Sequence, residues 1–259
     1  MARAIPSLRE RFRSNRDYAQ RGVEEIFGPA LNQAQMRQAT VLESMVFLNR
    51  GKRFIGRPLP TEAQFSPAFG LSVGDFDGDG HDDILMAQNF FDTAAEISEY
   101  DAGRGLLLRG DGTGQFRAVP SQESGIAVYG EQRGSGVADY DHDGRLDWVV
   151  CQNAGPTRLY HNRNARPGLR VRLLGPPGNP DGIGAVVRLE FGSAFGPARE
   201  VHSGSGYWSQ DAAVQVLALP QVPTGVEVRW PGGKRTRAAL KSGAREISMS
   251  AAGELKVNQ

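Results

Sequence analysis

The 259-residue sequence predicts a mainly β protein: about two blades of a partial β-propeller, with an N-terminal helical segment before them and a C-terminal antiparallel β domain after them. Short apolar runs alternate with glycine- and aspartate-rich turns from residue 46 onward, as in a β meander or propeller. One Asp-rich loop occurs twice, 64 residues apart, which indicates a repeated structural unit. After residue 166, apolar and polar residues alternate with a period of two, as in half-buried antiparallel strands. We therefore expect domains at residues 1–45, 46–165 and 166–259.

The first segment, residues 7–45, is predicted to be helical. Ser7 and Glu10 have the spacing of a capping box, in which each side chain accepts a backbone N–H of the other residue. Apolar residues follow at broadly helical spacing, and Gly28-Pro29 is expected to divide the segment into two helices. Nothing in it resembles a reactive site, so we expect it to pack against or cover other elements.

The middle segment contains seven apolar runs of strand length. If each repeat forms one blade, each blade is expected to be a four-stranded sheet. The predicted strands are Phe69–Val73, Ile84–Gln88, Leu106–Leu108, Phe116–Val119, Gly136–Ala138, Trp148–Gln152 and Arg158–Tyr160.

Charge is distributed unevenly along the chain. The net charge is +1, yet residues 61–160 carry 17 acidic and 6 basic residues. So acidic a segment repels a phosphate backbone, which argues against a nucleic-acid partner, and it attracts hard cations. No apolar stretch approaches the ~18 residues of a membrane span, and no signal peptide is visible. The single cysteine, Cys151, follows Val150 in an apolar run, and we expect it to be an inert core thiol.

The repeated loop has the pattern D-[aromatic]-D-x-D-G-x-x-D. Its glycine at position 6 allows a sharp reversal that turns the four aspartates inward. Two carboxylates ~4.5 Å apart repel by about 4 kcal/mol at an effective dielectric constant near 20, so the loop requires a cation. Ca²⁺ accepts ~6–8 oxygen ligands in flexible geometry, whereas Mg²⁺ demands a strict octahedron, so two calcium ions are the better prediction. The predicted ligands are Asp75, Asp77, Asp79, the backbone carbonyl of His81 and Asp83 in the first loop, and Asp139, Asp141, Asp143, the backbone carbonyl of Arg145 and Asp147 in the second.

Other interpretations of these loops are weaker. An EF-hand needs a glutamate at position 12 and flanking helices, whereas position 12 is Met86 or Val150 and strands flank both loops. Plain hairpin turns do not explain two loops that agree at five positions. A catalytic carboxylate pair needs two groups with different pKa values facing a cleft, which is not expected if all four bind one ion.

Three smaller features have ordinary structural explanations. Arg109-Gly110-Asp111 spells an adhesion tripeptide, but Gly-Asp-Gly at that point is typical of a turn. The four histidines lack the spacing of a zinc site. Tyr207 and Trp208 are candidates for a glycan-binding aromatic face, although core packing or a strand corner is the expectation we favour.

The two Asp-rich loops resemble the FG-GAP, or VCBS, repeats of integrin-α-type propellers, which bind calcium between the strands of a blade. Residues 47–54 and 107–116 resemble the hairpin of those repeats. Residues 178–185, 204–210 and 226–233 resemble the ASPIC/UnbV domain that follows such repeats in proteins of the cartilage acidic protein type. The resemblance implies an extracellular, periplasmic or cell-surface protein that binds a protein or glycan without catalysis.

Propellers close with typically 4–8 blades, and about two are present. We therefore expect the chain to be the C-terminal part of a longer propeller, with Met1 not the natural start and the remaining blades as a partner. The alternative function is an enzyme or accessory protein that acts on a saccharide or secondary metabolite through the C-terminal domain. That alternative requires one pocket lined by His202, Tyr207, Gln210, Asp211 and Arg229.

Overall fold

The computed structural model describes residues 5–258, so Met1 and the expectation attached to it lie outside this range. The chain divides into two compact units, with the boundary between Leu42 and Glu43. The N-terminal unit contains α1 (Ser7–Arg11), α2 (Asn15–Ala19), α3 (Val23–Phe27) and a 3₁₀ helix (Gly28–Gln33). Among residues 5–258, no helix has the length and apolar character that crossing a membrane requires.

The prediction of a helical segment from 7 to 45 was wrong in its extent. Residues 34–43 are not helical, and Gly28-Pro29 begins the 3₁₀ helix rather than separating two long helices. The capping box does not form because Ser7 lies inside α1. Instead the hydroxyl of Ser14 accepts the backbone N–H of Asp17 at 3.1 Å and caps α2.

The first part of the second unit consists of three antiparallel sheets, and all seven predicted strands are confirmed. A separate hairpin joins β1 and β2, the first blade has the strand order β3-β4-β5-β6, and the second has β7-β8-β9. A short helix, α4 (Ser121–Ser124), precedes β7. The second blade therefore has three strands in place of the four expected. The strands are β1 (Met45–Asn49), β2 (Phe54–Pro58), β3 (Ala68–Gly74), β4 (Asp83–Gln88), β5 (Leu106–Gly110), β6 (Phe116–Val119), β7 (Glu131–Ala138), β8 (Asp147–Asn153) and β9 (Gly155–Tyr160).

The two blades pack face to face. Leu85 and Ala87 of β4 meet Val137, Trp148 and Val150 of the second blade in one buried apolar cluster. Their innermost strands approach closely at Gly70 of β3. A Cβ atom at this position would lie only 2.5 Å from the Ser135 hydroxyl in β7, so the close approach requires glycine. This contact fixes the relative position of the two Asp-rich loops, which follow β3 and β7.

Cys151 is exposed, so the prediction of a core thiol was wrong. Successive side chains of a strand point to opposite faces. Val150 is buried between the blades, and the next residue of β8 must therefore face away from that core.

The last part of the chain forms two further sheets around a separate apolar core. One has the order β14-β10-β17-β18, and the other has β12-β11-β15-β16 with β13 also paired to β11. The pairing of β10 with β17 is parallel, which departs from the antiparallel expectation. The strands are β10 (Leu169–Leu174), β11 (Val186–Phe191), β12 (Ala194–Phe195), β13 (Arg199–Glu200), β14 (Gln215–Leu217), β15 (Gly225–Arg229), β16 (Arg235–Ala239), β17 (Glu246–Ser250) and β18 (Leu255–Asn258).

Candidate metal centre

Each Asp-rich loop closes a β-hairpin. The first connects β3 to β4, with Gly74 opposite Asp83, and the second connects β7 to β8, with Ala138 opposite Asp147. Positions 1 and 9 of the pattern are therefore brought together by strand pairing rather than by the loop itself. Both positions are buried in both loops.

The buried aspartates of the first loop bind its backbone. Asp75 accepts hydrogen bonds from the N–H groups of Gly78 and Gly80, both at 2.7 Å, and from that of Asp79 at 3.2 Å. Asp83 accepts the N–H of Phe76 at 2.9 Å and the N–H of Gly110, in the neighbouring strand, at 2.8 Å. These bonds fix the direction of both carboxylates.

The first loop gathers three of its four predicted carboxylates. Oxygen atoms of Asp75, Asp77 and Asp83 all lie within 4.8 Å of one another. Asp79 is not in this group, and its carboxylate accepts the backbone N–H of His81 at 2.8 Å. Its role as a ligand, and that of the His81 carbonyl, stay predictions.

The second loop repeats this arrangement. Oxygen atoms of Asp139, Asp141 and Asp147 lie within 4.8 Å of one another. The position 5 aspartate is again outside this group: Asp143 forms a separate group with Asp141 and His161. The assignment of Asp143 and the Arg145 carbonyl as ligands also stays a prediction.

Burial makes ionisation of three of the clustered aspartates, Asp75, Asp83 and Asp147, unfavourable. It raises the pKa of Asp83 to about 7, against hydrogen bonds from Gly110 and Phe76 that lower it. Burial is also the main cause of the raised pKa values of Asp75 and Asp147. At Asp143 burial likewise raises the pKa, but the hydrogen bonds and positive charge of Arg145 outweigh it and lower the pKa overall.

Basic side chains near the loops were missed by the sequence analysis. Arg109 Nε lies 2.8 Å from the Asp77 carboxylate in the first loop. In the second loop, His161 Nε2 is 3.0 Å from Asp141 and a guanidinium nitrogen of Arg170 is 2.6 Å from Asp139. Arg145 pairs with Asp143 at 2.5 Å. Only Arg145 lies within its motif, so no local pattern could have identified the other three.

The donor sets fit a hard divalent cation. Carboxylate oxygens are the ligands that calcium and magnesium prefer. Burial raises the pKa of Asp75, Asp83 and Asp147, so a bound cation would stabilise their ionised forms. Asp75, Asp77 and Asp83 would hold an ion in the first loop. Asp139, Asp141 and Asp147 would hold one in the second.

The residues proposed for an alternative C-terminal pocket are only partly brought together. His202 and Asp211 line one cleft of about 250 Å³, whereas Tyr207, Gln210 and Arg229 are not among its lining residues. Trp208 is 85% exposed, so of the two expected placements core packing was wrong, and the residue lies in a turn that follows the β-bridge at Gly206. Asp111 accepts the N–H of Thr113 at 2.8 Å, which confirms that Arg109-Gly110-Asp111 ends in an ordinary turn.

Two protein-family models match the second unit, one in its first part and one in its last part. An FG-GAP repeat model matches residues 68–108, which include the first Asp-rich loop, and the model named "ASPIC and UnbV" matches residues 175–254. The second Asp-rich loop lies between the two matches, and no curated protein matches the chain. FG-GAP repeats are typical of extracellular binding modules, and the acidic groups are compatible with a metal ion. The chain therefore contains an FG-GAP repeat of mainly β architecture followed by a C-terminal ASPIC/UnbV domain.

Proposed function

We propose that this chain is a non-enzymatic, calcium-stabilised module that binds a protein or glycan partner outside the cytoplasm. The observation that carries the proposal is the convergence of three carboxylates in each of two loops with the same spacing. Calcium has a structural role in this proposal, because each loop closes a hairpin of a blade. An ion that binds only the folded state adds to its stability by mass action.

The proposed ligand sets extend each trio by the position 5 aspartate and the position 7 carbonyl. In the first loop the Asp79 carboxylate would exchange its hydrogen bond from His81 for the ion. In the second, Asp143 would have to leave its ion pair with Arg145. The second exchange costs more, so we propose that the first loop binds calcium more tightly.

Nearby positive charge favours the same order. Arg109, which pairs with an aspartate of the first loop, is 38% exposed, so water screens its charge, whereas Arg170, which contacts Asp139 of the second loop, is 5% exposed and is screened less. A cation that approaches the second loop meets more repulsion, and part of the carboxylate charge there is already balanced.

A location outside the cytoplasm follows from two arguments. FG-GAP repeats are typical of extracellular proteins. Extracellular calcium modules work with dissociation constants of about 10⁻⁴–10⁻³ M, a range suited to loops whose carboxylates also contact basic side chains.

The alternative, an enzyme or accessory protein acting on a saccharide or secondary metabolite, has less support. It requires the polar residues of the ASPIC/UnbV domain to share one pocket. Tyr207 and Arg229 lie outside the cleft that His202 and Asp211 line, and this scatter favours the binding module.

Calorimetric titration of metal-stripped protein with calcium tests the proposal. We expect about two ions to bind, the first more tightly, and the melting temperature to rise with calcium and fall with chelator. Asp77→Ala and Asp141→Ala should each remove about one ion, while Asp101→Asn, an exposed control, should remove none. Absence of both heat and any change in unfolding would refute the assignment.

A further inference from the structure

The loop formed by residues 202–210 displays a tryptophan to solvent. Trp208 is 85% exposed, while Trp148 and Trp230 are 2% and 4% exposed. Its φ is +49°, a left-handed conformation that is unfavourable for a residue with a large side chain. An indole in water and a left-handed backbone both cost free energy. Little of this ring is covered within the described chain, so it is available to contact a ligand.

The loop is ordered before any ligand arrives. The side chain of Gln210 accepts the N–H of Gly204 at 2.6 Å and donates to the carbonyl of His202 at 3.1 Å. The hydroxyl of Ser209 accepts the N–H of Ser135, in β7, at 2.9 Å. These bonds cross-link the loop internally and to the second blade, so binding at Trp208 costs little conformational entropy.

The neighbouring aromatic ring is also held in place. Tyr207 packs edge-to-face on Phe69 at 5.5 Å, and the guanidinium of Arg133 lies 4.2 Å from the centre of the Phe69 ring. A side chain at Gly134 would lie 2.4 Å from the carbonyl oxygen of Trp208, so the glycine allows the loop to lie directly on β7.

Tyr207 and Trp208 form a neutral, open surface. Their rings are 6.3 Å apart and inclined at 59°. Residues 202–210 contain no Asp, Glu, Lys or Arg. Neither ring lines the cleft that His202 and Asp211 share, so the surface is a platform rather than a pocket.

We propose that Tyr207 and Trp208 are the platform on which this module binds a neutral saccharide. This inference rests on the proposed binding function and names its ligand class. A pyranose presents a flat face of C–H groups that packs on an aromatic ring, while its hydroxyls need polar partners at the rim. The Tyr207 hydroxyl has no hydrogen bond within residues 5–258 and Tyr207 is 47% exposed, so this hydroxyl is available as such a partner.

Intrinsic fluorescence tests this directly, because Trp208 is exposed while the other two tryptophans are buried. We would titrate the calcium-loaded full chain with cellohexaose, mannohexaose, xylohexaose and chitohexaose. At least one should shift the emission to shorter wavelength and protect it from acrylamide quenching. In calorimetric titration with the same sugar, which does not depend on the Trp208 signal, Trp208→Ala should abolish binding, and Tyr207→Ala should weaken it by about tenfold or more. Phe54→Ala, which removes another exposed ring, should change neither the fluorescence response nor the binding.

Two results would overturn the proposal: no response to any of the four sugars, as expected for a protein ligand, or binding that Trp208→Ala leaves intact. Trp208→Ala should also retain the calcium-dependent rise in melting temperature, which shows that the variant is folded. If the calcium proposal is wrong, the unsubstituted chain itself will show no rise in melting temperature with calcium. The two failures are therefore distinguishable.

Discussion

Replacing Asp83 by asparagine is expected to change stability in opposite directions with and without calcium. Asp83 is buried at position 9 of the first loop, and its folded-state pKa is about 7 compared with 3.8 for a free aspartate. The folded state therefore binds this proton more tightly than the unfolded state does. The contribution of Asp83 to metal-free stability consequently declines as the pH rises from about 4 to about 7.

The magnitude follows from the difference between the two pKa values. Each tenfold change in acidity corresponds to about 1.4 kcal/mol, so ionised Asp83 costs the metal-free protein about 4 kcal/mol above pH 7. Asparagine carries no charge and so avoids that cost, but its single amide oxygen replaces two carboxylate oxygens and one of the hydrogen bonds from Phe76 or Gly110 is lost. The lost hydrogen bond lowers the free energy of unfolding by about 1–3 kcal/mol. The expected net stabilisation without metal is about 1–3 kcal/mol. With calcium at about 100 times its dissociation constant, the unsubstituted chain gains about 2.7 kcal/mol that the variant does not, which leaves the variant about 0–2 kcal/mol less stable than the unsubstituted chain.

Urea denaturation of both proteins, with chelator and with saturating calcium, measures these changes. We expect Asp83→Asn to raise the urea midpoint in chelator above pH 7 and to lower it in calcium. In chelator near pH 4 the gain should disappear, because Asp83 is then protonated in both states. Asp101→Asn, at an exposed position, controls for the change in net charge.

An Asp83→Asn variant that is less stable than the unsubstituted chain under all three conditions would refute this reasoning. The hydrogen bonds from Phe76 and Gly110 would then outweigh the burial of charge. A gain in chelator without a loss in calcium would have a different meaning: the burial argument would hold, but Asp83 would not bind the ion.

Two further predictions concern residues outside the acidic trios. Arg170→Met should lower the free energy of unfolding, measured in urea, by about 3–5 kcal/mol, because Asp139 and Glu246 lose a buried partner. A decrease of less than about 1 kcal/mol would contradict this prediction. Cys151 should react with an aromatic disulfide reagent about as fast in the native protein as in urea, since it is exposed. Strong protection in the native state would show that the outer face of β8 is covered.

The loops and strands were predictable because their signals are local. Glycine at position 6 of each loop has positive φ, +97° at Gly80 and +84° at Gly144, as the sharp reversal requires. The first and ninth residues of each pattern meet because the flanking runs pair as strands. Three aspartates of each set could thus be placed together from spacing alone.

The errors have physical causes that spacing does not encode. Helical spacing of apolar residues continues past Gln33, but helices this short depend on tertiary packing, and residues 5–42 form three short α-helices and one 3₁₀ helix. Cys151 was assigned to the core from an apolar run, although a blade strand buries alternate residues. Arg109, His161 and Arg170 reach the loops from other elements, and only the folded arrangement reveals them.

Arg170 connects the second Asp-rich loop to the C-terminal sheets. It lies in β10, its side chain is 5% exposed, and it contacts Asp139 of the loop and Glu246 of β17. A buried guanidinium between two carboxylates is stable only while both remain in place. Loss of charge balance at Asp139 should therefore affect β10 and β17, and disturbance of those strands should alter the loop. This is a physical reason to treat residues 43–258 as one compact unit, although the family matches lie at its two ends.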